Sequence, residues 1–239
     1  MGRAARGAGA DDREAAAPHH AVPRPPPAGK KGGLGGLLGS VFAHAQGAGL
    51  IERRPEASID STGLSATVRS AHYASRRRDG NRRYRSTRWP KLTVVNHNAS
   101  HLIAAAIAGT GPSYDAPLFT PAMLAASWNL DVDRLLADGG YDAEPNHRTA
   151  REGLGVRSTV IALNRRGARK WPKQPYRRQM ARRFHRRKYG QRWQAESVFS
   201  RLKRRLGAAL RGRSDASRNR EMHVKVLTHN LMILAGSTA

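Results

Sequence analysis

The chain has 239 residues, 43 of them Lys or Arg against 17 Asp or Glu, for a formal net charge of +26. That is room for one domain of about 150 to 190 residues plus a tail, and the charge predicts salt-sensitive association with nucleic acid, with an acidic membrane surface as the competing partner. No run reaches the roughly 18 apolar residues of a bilayer-spanning helix, and the lack of cysteine excludes disulfides and the common Cys-based zinc sites.

Residues 1–52 are rich in Ala, Gly and Pro, including Pro23-Arg24-Pro25-Pro26-Pro27 and Gly32-Gly33-Leu34-Gly35-Gly36. Such composition buries little, so this stretch is expected to be a disordered tail, with one short helix near Leu37 to Gln46. Lys30-Lys31, the apolar stretch from Gly32 to Phe42 and Ala43-His44-Ala45 imitate a secretion signal. The late start, the glycines and the cationic chain that follows argue against one. The ten histidines do not group at ligand spacing, and His19 and His20 fall in the tail.

Residues 53–239 read as one α/β domain. Ala57 to Asp60 is a short strand. Asp79-Gly80, after Arg76-Arg77-Arg78, reads as a hairpin turn. Lys91 to Val95 is strand-like, with β-branched residues at 93, 94 and 95, and His101 to Ala108 pairs with it. Gly109 to Ser113 is a loop. Ala116 to Trp128 has helical apolar spacing, confined to its later part by Pro117 and Pro121. Leu135 to Ala137 is a buried strand that ends at Asp138, Glu144 to Leu154 an amphipathic helix, and Ser158 to Leu163 another buried strand. Gln179 to Lys188 is a basic helix, a second helix carries Glu196, and Met222 to Leu234 is a final apolar helix. Strands first, then alternation, then helices predicts a central mixed sheet flanked by helices.

Between Arg165 and Arg205 there are seventeen Lys or Arg and a single acid, Glu196. A run that basic needs no carboxylate to hold a polyanion, so a lone acid there points to a metal ligand within a phosphate-binding surface; the bland reading is a solvated charge paired with a neighbouring Arg. At roughly 100° per residue, Tyr189, Arg192, Glu196 and Lys203 share one narrow helical stripe, and Val198, Leu202 and Leu206 share another side that packs on a core. Trp193 is expected to pack inward rather than stack on a base.

The spacing Tyr189-x2-Arg192-x3-Glu196-x6-Lys203 resembles the signature of insertion-sequence transposases of the DDE type, the Tyr-Arg-Glu-Lys subgroup with an RNase H-like catalytic domain. Asp138-Gly139-Gly140-Tyr141-Asp142 and Asp60-Ser61-Thr62 are similar to that family's two upstream landmarks, in the same order and 78 and 58 residues apart. The likeness covers roughly Glu56 to Leu234.

The resemblance implies an RNase H-like fold. It implies that Asp60, Asp138 and Glu196 are catalytic and bind two divalent ions, Mg²⁺ or Mn²⁺, and that Tyr189, Arg192 and Lys203 position the DNA backbone. Such a site would cut DNA with water and join it to a target with a released 3′-hydroxyl. The implied partners are the insertion-sequence ends and target DNA, with a homo-oligomer during synapsis, no membrane, and a cytoplasmic, nucleoid-associated location. Asp60 has a plain alternative as a turn or cap residue, Asp142 is expected to cap the next helix, and Asp115 to be structural. The chain departs from the family at Asn96-His97, where an acid often stands, and in lacking a recognisable helical N-terminal region. Two other readings follow from those departures and from the charge: a truncated or catalytically inactive relic that still binds DNA, and a basic structural protein that binds nucleic acid.

Overall fold

The computed structural model describes residues 33–66, 88–165 and 171–237. The hairpin expected at Asp79-Gly80 and the histidines at 19 and 20 lie outside them.

Five strands form one mixed sheet. Strand β1 (Glu56–Gly63) lies at its centre. After the two-residue β2 (Ser65–Ala66), β3 (Trp89–His97) runs antiparallel to β1, and β4 (Ile103–Gly111) antiparallel to β3 at one edge. On the other side β5 (Arg134–Ala137) and β6 (Ser158–Ile161) run parallel to β1, giving the order β4-β3-β1-β5-β6. This mixed sheet with flanking helices is consistent with the RNase H-like fold. β4 continues through Gly109, Thr110 and Gly111, which pair with Lys91, Pro90 and Trp89. The expected loop therefore starts only at Pro112; the glycines are tolerated in the strand because the Trp89 ring lies against Gly111, where a Cβ would meet it at 2.4 Å.

Successive residues of a strand face opposite sides, and this alternation sorts the core. Ile59 and its partner Val95 pack on one face with Phe119, Leu130, Leu135 and Tyr141. Leu92, Val94 and Ile103 pack on the other with Val198, Phe199, Leu202, Met222 and Val226. The first face is covered by α1 (Leu34–Gly47) and α2 (Phe119–Ala126). Val41, Phe42 and Ala45 of α1 are buried there, and each large side chain so buried is worth about 1.5–3 kcal/mol. The helix near Leu37 to Gln46 is thus longer than expected and belongs to the core. Its glycines hid that, since Phe42 and its neighbours supply the packing while Gly35, Gly36 and Gly47 face open space.

α3 (Glu144–Arg148) is a single turn that widens into a π-helical turn at Thr149–Gly153, in place of one helix to Leu154. The basic helix is broken in two, α4 (Pro175–Arg182) and α5 (Arg186–Tyr189). A 3₁₀ turn, Gly190–Arg192, joins α5 to α6 (Trp193–Leu206). Val198 and Leu202 are buried and Leu206 partly so, as their spacing requires. Gly207, at φ 80°, ends α6 in a conformation that favours glycine; the two-residue β7 (Ala209–Leu210) follows and pairs with β2. α7 (Asp215–Ser237) is docked on the edge strand by buried Asn230, which accepts from the Ile103 N–H at 2.8 Å and donates to the Ile103 carbonyl at 2.9 Å. Both free main-chain groups of that edge residue are thereby satisfied. Among the described residues no helix is long and apolar enough to cross a membrane.

Candidate active site

The pleat that buries Ile59 turns Asp60 to the opposite face, the side on which α6 lies. Asp60 pairs across the sheet with Val94, and Thr62 with Leu92, both members of the α6-facing core. Ile59 is also the parallel partner of Ala137. The next residues, Asp60 and Asp138, therefore stand at neighbouring positions where β1 and β5 run out toward the same edge. Asp138 caps the short turn Gly139–Tyr141, its Oδ1 accepting from the Gly140 N–H at 2.8 Å.

From the other side, Arg192 reaches both Asp60 and Glu196. Its Nη1 donates to Asp60 Oδ2 at 3.0 Å and its Nη2 to Glu196 Oε1 at 2.7 Å. Asp60 Oδ1 accepts the Ser61 N–H at 2.8 Å. Lys203 Nζ donates to Thr62 Oγ1 at 2.7 Å, which lays α6 along β1 two residues beyond Asp60. The Tyr189 ring lies 6.0 Å from the Arg192 guanidinium carbon and 5.0 Å from the Phe184 ring. Asp60, Arg192, Glu196 and Lys203 are thus brought together, with Asp138 beside Asp60 and Tyr189 behind Arg192. Tyr189 and Arg192 do not lie on the α6 helix itself, as one uniform stripe requires; they precede it in α5 and the 3₁₀ turn, where the backbone stays right-handed helical. The tighter turn is how the four groups keep one side without a single regular helix.

Burial raises the Asp60 carboxyl to about 6. The Ser61 amide and Arg192 pull the other way, and the nearby charges of Asp138 and Asp115 add to the rise. Below the site, the Ser61 hydroxyl is linked to Thr93 Oγ1 at 2.7 Å and to the Tyr141 hydroxyl at 2.8 Å. Burial raises the Tyr141 phenol far above its ordinary value, so it stays protonated.

Asp115 has the structural contact expected of it, and it also stands close to Asp138 at the site. Lys91, itself buried, holds Asp115 Oδ1 at 2.7 Å and donates to the Ser113 carbonyl at 2.6 Å. A Cβ at Gly140 would come within 2.9 Å of Asp138 Oδ1 and 3.2 Å of Asp115 Oδ2. Glycine at 140 therefore lets both carboxylates come close to its backbone, where a side chain would have to displace them. The loop Gly111-Pro112-Ser113-Tyr114-Asp115 signalled this residue in the sequence, but its spacing did not aim it at Asp138.

Asp142 does not cap a helix. It is fully buried and held by Arg177, with contacts of 3.0 and 3.1 Å from Nε and 2.9 Å from Nη2, and by the Asn164 N–H at 2.8 Å. Burial works to raise its pKa, but the His147 ring, Arg177 and the Asn164 amide outweigh it and keep the carboxyl below the usual range. Glu144 accepts the Tyr176 and Arg177 N–H groups at 3.1 and 3.0 Å, at the first turn of α4. These two acids anchor the basic helix beside the site. Trp193 does not pack inward either. It is 52% exposed at the start of α6, next to Arg192, because the inward side of α6 is filled by Ala195, Val198, Phe199 and Leu202.

A divalent cation suits this donor set chemically. The acids are all hard oxygen donors, with no Cys in the chain, and Asp138 and Asp115 both approach the Gly140 backbone. Among the described residues, however, no three His, Cys, Asp or Glu side chains stand close enough to hold a metal ion, and the Arg192 guanidinium lies between Asp60 and Glu196.

A family model described as the transposase DDE domain matches residues 52–231. No curated protein and no solved structure matches the chain.

Proposed function

The chain belongs to the transposase DDE-domain family, whose members generally use divalent metals, and on that footing we propose that it is a DNA transposase that cuts and joins the strands of an insertion sequence. Asp60, Asp138 and Glu196 are assigned as the ligands of two Mg²⁺ or Mn²⁺ ions. When bound, such ions supply Lewis-acid activation of an attacking oxygen and charge stabilisation of the leaving one in an in-line phosphodiester displacement.

The chain's own residues do the rest. Arg192 offers a forked donor to a backbone phosphate and Lys203 a point charge. Tyr189 presents a phenol beside Arg192. Asp115, held by Lys91, walls the site near Asp138, and Ser61, Thr93 and Tyr141 brace β1 from beneath. The cations of α4 and α5 extend the phosphate-binding surface away from the cut. The partners proposed are the element's ends and a target DNA, with more than one copy of the chain needed to hold two ends.

The observation that carries this reading is the meeting of Asp60 and Glu196, 136 residues apart in the sequence, on one guanidinium beside Asp138. The test is nicking of supercoiled DNA that carries the element's terminal repeats. Mg²⁺-dependent nicking that disappears in Glu196→Gln, while DNA binding persists, is the expected result. Nicking at the wild-type rate by Glu196→Gln would refute the assignment, and metal-independent binding with no cleavage by the wild type would mark the chain as a DNA-binding relic.

A further inference from the structure

Arg192 is the point at which the site is tied together, and its chemistry is unusual for a residue meant only to grip DNA. Its two terminal nitrogens are spent on two different carboxylates, Asp60 at 3.0 Å and Glu196 at 2.7 Å. Its side chain is 22% exposed, so the fork is largely withdrawn from an incoming phosphate. Lys203 shows the contrast: it bonds a neutral hydroxyl, Thr62 Oγ1, and among the described residues it pairs with no acid.

A guanidinium that neutralises Asp60 and Glu196 and a divalent cation that needs their oxygens cannot both have them. We propose that Arg192 is a removable internal counter-ion: in the chain without DNA it competes with the divalent cation for Asp60 and Glu196, and a DNA phosphate relieves that competition by drawing the guanidinium away. This rests on the assignment of those acids as cation ligands. The Tyr189 ring flanks the guanidinium at 6.0 Å from its carbon while both acids are held. Arg192 is then a positioning residue that couples two ligands. By linkage, whatever factor DNA adds to cation affinity, the cation adds to DNA affinity. The consequence is a site that loads its cations on DNA and stays neutralised elsewhere.

The test measures Mn²⁺ binding to the full chain without DNA, by the loss of the free-ion electron paramagnetic resonance signal. Arg192→Gln is expected to bind Mn²⁺ about tenfold or more tightly than the wild type, since a unit charge at contact distance from the ligands is removed. Lys203→Gln, which removes an equal charge bonded to a neutral hydroxyl, is expected to change affinity by about twofold or less. Arg192→Lys, which keeps the charge but cannot bridge both acids, falls between, and it serves if the Gln variant does not fold. At constant ionic strength, Mn²⁺ is expected to raise duplex affinity in the wild type and to leave that of Arg192→Gln unchanged.

Mn²⁺ affinity that is equal or weaker in Arg192→Gln overturns the proposal, as does an equal gain in Lys203→Gln. A gain in Arg192→Gln that survives Asp60→Asn places the ion elsewhere and overturns the site assignment itself, which separates the two failures.

Discussion

Asp60 and Asp138 follow directly on Ile59 and Ala137, which are partners in the parallel pairing of β1 and β5. The pleat that buries the two apolar residues on one face therefore turns both acids to the other. Placing two acids side by side next to Asp115, with Asp60 desolvated, is unfavourable for folding, and the rise of the Asp60 carboxyl to about 6 records it.

The first prediction follows from that rise. A group whose folded pKa is raised favours folding most when protonated; that contribution is complete below the ordinary value of 3.8 and is lost as pH climbs through about 6. At pH 7.5 ionised Asp60 therefore opposes folding. Asp60→Asn should stabilise the chain at pH 7.5 by roughly 1 to 3 kcal/mol, at about 1.4 kcal/mol per pKa unit, and by nearly nothing at pH 4. Urea unfolding of both proteins at the two pH values checks this; an equal gain at both would mean that the effect is not ionisation.

The second concerns the buried pair of Asp142 and Arg177. Arg177→Met leaves a fully buried carboxylate without its cation and should cost about 3 to 5 kcal/mol. Asp142→Leu combined with Arg177→Met should recover part of that loss, because both charges are gone together. Denaturation midpoints of the single and double variants decide it, and a double variant less stable than the single one would contradict the account.

Histidine sets the acid limit. Burial lowers the pKa of His229, outweighing its bond to the His101 carbonyl, and burial likewise lowers that of His97 despite Glu52. A depressed histidine resists protonation when folded, so stability is full above the ordinary 6.5 and falls as pH drops below it. The stability advantage of the wild type over His229→Gln should therefore shrink between pH 7 and pH 5.5. An advantage that stays constant would show that His229 does not titrate with unfolding.

Trp193 is half exposed beside Arg192. Trp193→Ala should leave the melting temperature within about two degrees of wild type, as surface changes of about 0.5 kcal/mol or less do. If its ring stacks on a base near the cut, DNA affinity falls by about 1 to 3 kcal/mol. Calorimetry and fluorescence anisotropy separate the outcomes, and a large loss of stability would return Trp193 to the core.

Much of this was legible in the chain. The β-branched run at 93–95 and the apolar stretch after His101 marked β3 and β4, and the period of Val198, Leu202 and Leu206 marked the buried side of α6. The acids at 60, 138 and 196 stood out through their neighbours. What stayed hidden depended on partners far away or on small residues. Asp142 looked like a cap because its partner Arg177 lies 35 residues on, beyond a helix and a strand, where local spacing cannot point to it. Trp193 looked like core because its own bulk said so, whereas four neighbours had already filled that side. α1 looked like tail because its glycines masked Phe42. Nor did helical spacing reveal that Arg192 is held by two acids at once, since one of them comes from a strand 132 residues earlier.

The central claim is that Asp60, Asp138 and Glu196 share divalent cations. Anomalous X-ray scattering from crystals of the chain grown with Mn²⁺ and a short DNA duplex tests it most directly. Manganese peaks bridged by oxygens of all three carboxylates, with the Arg192 guanidinium moved onto phosphate, are the predicted result. Peaks only elsewhere on the chain, with Arg192 still joined to Asp60 and Glu196, would contradict it.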